Sequence, residues 1–134
     1  MKHFTFEELL RSQIALDNGF ENIPSCPEVY NRLKRLVVNL LEPIRERFAT
    51  PMIITSGYRC ERLNELVGGV DNSQHMNGEA VDFYFQGFSK REMMAAFFEI
   101  AEEFDFDQLI LYRYNGFIHV SFVGERNRHQ SFVR

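Results

Sequence analysis

Three residues that lie far apart in the sequence could together hold a metal ion: His75, Asp82 and His119. Asp82 stands between Val81 and Phe83, in an apolar segment where a buried carboxylate costs free energy unless it is paired or bound to a cation. Two imidazoles and one carboxylate are the protein ligands of many catalytic zinc sites, in which water takes the fourth position. The pattern therefore predicts a metal site that activates a water molecule.

The same residue types allow other interpretations. A single histidine on a strand is more often structural than a ligand, and Asp82 could instead cap a turn or pair with Arg59. Two histidines and a carboxylate also suit Fe(II) in non-haem oxygenases. That class usually spaces its first two ligands as His-x-Asp, a spacing that His75 and Asp82 do not have.

Composition limits the other functions that the chain could have. Its 134 residues, 45% of them hydrophobic and 25% charged, predict one ordinary globular domain over residues 1–134. A net charge of −4 argues against a nucleic-acid partner, because such binders are usually basic. Only Cys26 and Cys60 are present, which excludes a four-cysteine zinc site and a disulfide scaffold and favours free thiols.

No segment has the composition of a membrane span or a secretory signal. The sequence has no run of about 18–20 apolar residues. Residues 1–11 contain Glu7 and Glu8 where a signal peptide would carry its apolar core. We therefore expect synthesis in the cytoplasm and no membrane partner.

Helices and strands that could position the candidate ligands follow from capping residues and apolar spacing. Capping boxes at Thr5/Glu8 and Ser89/Glu92 open two of the helices, and Pro27 opens a long amphipathic one that Pro43 should kink. Helices are predicted over residues 6–12, 27–48, 61–67 and 89–104, with loops over 17–26 and 70–79. Strands are predicted over residues 51–55, 80–85, 108–112 and 117–122.

The last two strands define the fold class. Tyr114-Asn115-Gly116 joins them as a hairpin, so they are antiparallel. Alternation along the final strand puts His119 on the same face as Phe117 and Ser121. We expect an α+β fold with a largely antiparallel sheet of four to five strands and helices packed on one face.

Several segments together resemble the zinc D-alanyl-D-alanine carboxypeptidase family. They are Ser56-Gly57-Tyr58-Arg59-Cys60, Leu63-Asn64, Ser73-x-His75-x-x-Gly78-x-Ala80-x-Asp82, Phe106-Asp107-Gln108-Leu109-Ile110 and Ile118-His119-Val120-Ser121. The relatives of this family include phage peptidoglycan endolysins, D-Ala-D-Ala dipeptidases and the hedgehog signalling domain. The resemblance covers nearly the whole chain.

The resemblance implies a hedgehog/DD-peptidase-like fold and a role for individual residues. His75, Asp82 and His119 would bind Zn²⁺. Arg59 matches an arginine that faces the substrate carbonyl or carboxylate, and Ser73 matches a hydroxyl that contacts the substrate. The structural alternatives are a surface salt bridge for Arg59 and a loop-capping hydroxyl for Ser73.

The chain departs from the family at the general base. Family members carry a carboxylate three residues, or six to seven residues, before the last histidine ligand. Those positions hold Gly116, Tyr112 and Arg113, and a phenol with an unperturbed pKa of about 10 is a poor base at neutral pH. Tyr112 is therefore the candidate catalytic side chain at this position. We expect Glu79 to face solvent or the surroundings of the metal, and Asp107 to be structural.

The function predicted from these residues is a zinc-dependent peptidase, either a carboxypeptidase or an endopeptidase. It would act on peptidoglycan stem peptides or muropeptides through a metal-activated water. The alternative is a catalytically weak or inactive zinc module that binds cell-wall peptides. We expect a monomer that remains in the cytoplasm, or reaches the cell wall if the chain is of phage origin.

Overall fold

The computed structural model describes residues 1–134. Its α-helices are α1 Phe6–Leu10, α2 Gln13–Asp17, α3 Pro27–Leu36, α4 Glu42–Phe48, α5 Glu61–Leu66, α6 Gln74–Asn77 and α7 Lys90–Glu103. A π-helical segment, Val37–Leu41, joins α3 to α4, and a 3-10 turn covers Gly124–Arg126. The strands are β1 Met52–Ser56, β2 Ala80–Phe85, β3 Gln108–Tyr112, β4 Phe117–Ser121 and β5 Gln130–Val133.

The five strands form one sheet in the order β1-β2-β4-β3-β5. All neighbouring pairs are antiparallel except β3 and β5, which are parallel. The α+β class and the largely antiparallel sheet of the sequence analysis are therefore confirmed.

The two faces of the sheet differ in chemistry. On one face Val81 and Leu109 each pair with Val120, and Phe83 and Leu111 each pair with Ile118, so this face is apolar. These side chains join one core cluster with residues of α3, α4 and α7, which cover this face as expected. The other face carries the polar and candidate site residues, because side chains alternate along each strand.

Pro43 disturbs the long helix in a specific way. Proline lacks the amide N–H that would bond to the carbonyl of Asn39, four residues earlier. The helix continues past this point, with the π-helical segment Val37–Leu41 directly before the proline turn. We expected a kink at Pro43, and the irregularity is this change in hydrogen-bond pattern.

Three short elements were not predicted. α1 ends at Leu10, and Ser12, predicted as its last residue, instead caps α2 by accepting a hydrogen bond from the Ala15 amide. α6 lies inside the predicted loop 70–79, between the Ser73 cap and Gly78, whose φ is 77°. β5 lies in a segment where no strand was predicted. Helices of four or five residues are too short to show a helical hydrophobic period, and β5 is mostly exposed, so it shows no alternation of buried and exposed residues.

Gly57 allows α1 to approach the end of β1 closely. The Tyr58 amide donates to the Leu9 carbonyl at 2.9 Å, and a Cβ on Gly57 would overlap that same carbonyl oxygen. The glycine is therefore required by space rather than by an unusual φ.

We expect Gly57→Ala to lower the free energy of unfolding by about 1–3 kcal/mol, since backbone must move to admit the methyl group. Denaturant unfolding monitored by circular dichroism measures this free energy. Glu65→Ala, on the exposed face of α5, is the control and should change stability by less than about 0.5 kcal/mol. Equal free energies of unfolding for the two variants would show that α1 does not pack closely against Gly57.

Candidate metal and substrate site

The polar face of the sheet borders a cavity of ≈ 810 Å³. All six residues that the sequence marked as site candidates line it: Arg59, Ser73, His75, Asp82, Tyr112 and His119. They come from β2, β3, β4, α6 and the two segments that precede α5 and α6. The fold therefore brings together residues that span more than 60 positions of the sequence.

The three candidate metal ligands converge on one carboxylate oxygen. His75 Nε2 lies 3.3 Å and His119 Nδ1 lies 2.9 Å from Asp82 Oδ1. Two atoms that both bind a tetrahedral zinc ion at 2.0–2.1 Å are about 3.3 Å apart, so the spacing of the donor atoms suits that ion. Asp82 and His119 pair directly across β2 and β4, which fixes their two side chains on the same face.

His75 is held with one ring nitrogen free. Its Nδ1 lies 2.7 Å from the carbonyl oxygen of Gly57, and because a carbonyl only accepts, Nδ1 carries the proton. The lone pair of Nε2 then points towards Asp82. Hydrogen bonds of this kind orient histidine ligands and fix their tautomer in metal sites.

Asp82 is ionised despite its burial. Burial alone would raise the pKa of this carboxyl, but the hydrogen bond from His119 and the adjacent His75 ring outweigh that effect and hold the pKa well below its usual range. Asp82 is therefore an anionic oxygen donor at neutral pH. Such a buried anion needs cationic partners.

Arg59 is a fixed cation beside the candidate ligands. Its Nε donates to Ser56 Oγ at 3.1 Å and its Nη1 to Asn64 Oδ1 at 3.3 Å, while Nη2 lies 3.5 Å from Asp82 Oδ2. Burial lowers the pKa of Arg59, and the charges of Asp82 and Tyr112 act in the opposite direction. The side chain is only 15% exposed, so Arg59 does not form a surface salt bridge.

Ser73 and Tyr112 both line this cavity. Ser73 Oγ accepts the His75 amide at 3.2 Å, which is the capping role weighed from the sequence, and its O–H proton remains available to a ligand. The Tyr112 ring stacks on Phe117 with centroids 4.6 Å apart. Both positions allow contact with a molecule in the cavity.

The other two carboxylates of the cavity are engaged by arginine. Glu79 is 6% exposed and its Oε2 accepts from Arg35 Nη2 at 3.3 Å. Of the two surroundings expected for Glu79, solvent and the neighbourhood of the candidate metal ligands, the structure shows the second, because α3 places Arg35 against Glu79 and the residue lines the cavity. Asp107 is bound by Arg128. No carboxylate that lines the cavity is without a partner.

Asp107 ties the helix of His75 to the segment after β4. It accepts Gln74 Nε2 at 2.8 Å, Arg128 Nη2 at 2.7 Å and Arg128 Nε at 2.9 Å. Hydrogen bonds from Arg128 lower the pKa of Asp107 to about 2, against the opposing effect of burial. This agrees with the structural role that the sequence suggested for Asp107.

The sequence analysis did not identify the residues that support the site. Asn64 and Gln74 bond to Arg59 and Asp107, and the Gly57 carbonyl orients His75. Asn64 is 3% exposed, and the sequence signal at this position is that Leu63-Asn64 is one of the segments that carry the family resemblance. A backbone carbonyl leaves no sequence signal.

A second group of potential ligands lies outside this cavity. His3, Glu42 and Glu46 are close enough to hold an ion. His3 and Glu42 already satisfy each other, with Nδ1 3.1 Å from Oε2, and Glu46 pairs with Lys2 at 3.4 Å. These two ion pairs account for the proximity of the three side chains without a metal ion.

Two imidazoles around a buried carboxylate, next to a fixed guanidinium, are residue types that could hold a metal ion. Residues 2–121 match the family model of peptidase M15, so the chain belongs to the peptidase M15 family. The family predicted from the sequence is thereby confirmed, and membership supports a metallopeptidase, typically a zinc-dependent one. No curated protein sequence matches the chain. None of the helices is long and apolar enough to cross a bilayer.

We expect Asp107→Asn to lower the free energy of unfolding at pH 7 by about 1–3 kcal/mol. The pKa of Asp107 is lowered from 3.8 to about 2 on folding, so its ionisation stabilises the native state above pH 3.8. That contribution is lost as the pH falls through about 2.

Denaturant unfolding of both proteins at a series of pH values measures this difference, which should shrink in that acidic range. Glu102→Gln, at an exposed position of α7 without an ion pair, controls for the change in net charge. A difference that stays constant down to the lowest pH would contradict the assignment.

Proposed function

We propose that the chain is a single zinc peptidase-like domain, and that it cleaves peptidoglycan stem peptides or muropeptides as a carboxypeptidase or endopeptidase. The observation that carries this proposal is the convergence of His75 Nε2 and His119 Nδ1 on Asp82 Oδ1 beside Arg59. Membership of the peptidase M15 family supports the same reaction class.

The residues of the cavity suit the chemistry of peptide hydrolysis. His75, Asp82 and His119 would hold the ion, which when bound lowers the pKa of a water molecule and polarises a carbonyl group. Arg59, held by Ser56 and Asn64, would bind the carbonyl or terminal carboxylate of the peptide. The hydroxyl group of Ser73 would donate a hydrogen bond to the bound peptide.

The cavity lacks a free carboxylate that could accept a proton as general base. Glu79 and Asp107 are engaged by arginines, which leaves Tyr112 as the titratable side chain at the position expected of a base. A neutral phenol can donate a hydrogen bond to a developing negative charge, but it accepts a proton poorly.

This observation favours a second candidate function. The chain would then bind stem peptides at a zinc site and cleave them slowly or not at all. Tight binding without turnover distinguishes this function from the first, and a clear rate of product release removes it.

We expect the purified protein to contain about one zinc ion per chain. His119→Ala should lower zinc affinity at least tenfold, because it removes a direct ligand. His3→Ala is the matched control, since His3 belongs to the second group of ligands and should leave the stoichiometry unchanged.

Metal analysis after aerobic purification and a competition titration with a chelator provide these values. Iron in place of zinc would favour the oxygenase alternative. Equal zinc loss in both variants would place the ion elsewhere.

We expect Tyr112→Glu to raise kcat on a stem pentapeptide by roughly tenfold or more, because a positioned carboxylate contributes 10²–10⁴ in proton transfer. Tyr112→Phe, which keeps the stacking on Phe117, tests what the hydroxyl alone contributes. Tyr114→Glu introduces the same charge at a side chain that is 77% exposed and should change nothing.

Release of D-alanine, or of L-Ala and D-Glu fragments from purified peptidoglycan, measures the rate. The unmodified protein and the three tyrosine variants could all bind the peptide when loaded with zinc and yet show no turnover. That result would exclude a peptidase and support the binding function.

A further inference from the structure

The sheet face that borders the cavity changes from polar to apolar across neighbouring strands. Strand register pairs Asp82 on β2 with His119 on β4, and His119 in turn with Ile110 on β3. On the next strand, β5, Phe132 pairs with Ile110. All four side chains line the cavity, so they form one row on the same face of the sheet. Two candidate metal ligands are therefore followed directly by two apolar side chains.

Tyr112 and Phe117 add a second apolar surface beside this row. They pair across β3 and β4, and their rings stack with centroids 4.6 Å apart and planes at 18°. Phe117 precedes His119 by two positions on β4, and Tyr112 follows Ile110 by two positions on β3, so both rings lie on the face of the row. We call Ile110, Tyr112, Phe117 and Phe132 the apolar shelf.

The apolar shelf is accessible from the cavity. The side chains of Tyr112, Phe117 and Phe132 are partly exposed, whereas the opposite face of β3 and β4 is buried in the core. Apolar surface that remains in contact with water favours binding of an apolar group, because binding removes both surfaces from water. Ligand pockets commonly combine such an apolar wall with a few polar groups that orient the ligand.

The strand that carries Phe132 is fixed on both sides of this residue. The Gln130 amide donates to the Asp107 carbonyl at 3.0 Å, and the Arg134 amide donates to the Leu111 carbonyl at 2.8 Å. The Arg134 guanidinium lies 5.2 Å from the centroid of the Phe132 ring, within the range of a cation–π contact. Phe132 is therefore a positioned wall of the cavity.

The polar groups of the site lie on the other side of the candidate ligands. Arg59 donates to Ser56, which pairs with Asp82 on the side of β2 that faces away from His119. The order across the sheet is thus a guanidinium, the candidate metal ligands and then the apolar shelf. A ligand whose polar group binds at the ligands and whose next group is apolar matches this order.

We propose that the apolar shelf is a specificity-determining subsite, which binds an aliphatic or aromatic side chain next to the polar group held at the His75–Asp82–His119 cluster. This inference rests on the proposed function and adds a selectivity of the same cavity. The match to the family model ends at residue 121, so Phe132 lies beyond the part of the chain that the match covers.

Two hydroxamates with the same zinc-binding group test the subsite in the zinc-loaded protein. Acetohydroxamate carries only a methyl group, whereas phenylpropionyl hydroxamate carries an aromatic ring that can reach the apolar shelf. Calorimetry gives Kd for both compounds and needs no peptidase activity. We expect the phenyl compound to bind roughly tenfold more tightly, because its ring covers apolar surface of the cavity.

Phe132→Ala should weaken binding of the phenyl compound roughly threefold or more and leave acetohydroxamate unaffected, since it removes apolar surface only from the shelf. Phe132→Gln keeps a long side chain on β5 and should have the same effect. Val133→Ala is the matched control, because Val133 is the next residue of β5 and does not line the cavity. It should preserve the preference for the phenyl compound.

Thermal unfolding and zinc content show whether fold and metal are intact in the three variants. Equal affinity of the unmodified protein for both hydroxamates, or a preference that survives both Phe132 variants, overturns the subsite while the peptidase proposal stands. Binding of neither hydroxamate by the zinc-loaded protein overturns both, because an ion at the cluster would then be closed to ligands.

Discussion

The burial of one carboxylate governs the arrangement of this molecule. Asp82 lies in a central strand between Val81 and Phe83, where an isolated charge would cost several kcal/mol. Its two oxygens instead face His75, His119 and Arg59, which other elements supply. The strand register provides one partner and the short helix α6 another. The same cluster that solves the desolvation problem is a donor set for a divalent cation.

Sequence reasoning succeeded where a residue's position follows from regular structure. The hydrophobic neighbours of Asp82 and His119 indicate two strands, and side chains alternate between the faces of a strand. The shared face of these two residues follows from that alternation. It failed where partners are distant or elements are short: Glu79 meets Arg35 across 44 positions, and α6 and β5 have four residues each. Such contacts depend on tertiary packing, and no local period or spacing encodes them.

The cavity also shows how the environment of a carboxylate decides its chemistry. Asp82, Glu79 and Asp107 all border the same space, yet each is already bound to a cation or an imidazole. Their hydrogen bonds lower the pKa of Asp82 and Asp107, so these two carboxylates are weak proton acceptors. The number of acidic residues in a site is therefore a poor measure of its basicity. The titratable side chain that remains is Tyr112, which stacks on Phe117, and under the proposed function it would decide whether a bound peptide is cleaved.

Gly57 connects the site to the amino-terminal segment. Its carbonyl orients His75, the next amide bonds to Leu9, and Asn22 bridges the carbonyl groups of Leu10 and Tyr58. Detachment of the first helices would therefore free the ring that presents Nε2. The affinity of the cluster for a ligand and the docking of the amino-terminal helices are therefore thermodynamically linked. An ion that binds only when His75 is held by Gly57 would also stabilise the docked amino-terminal helices, although it does not contact them.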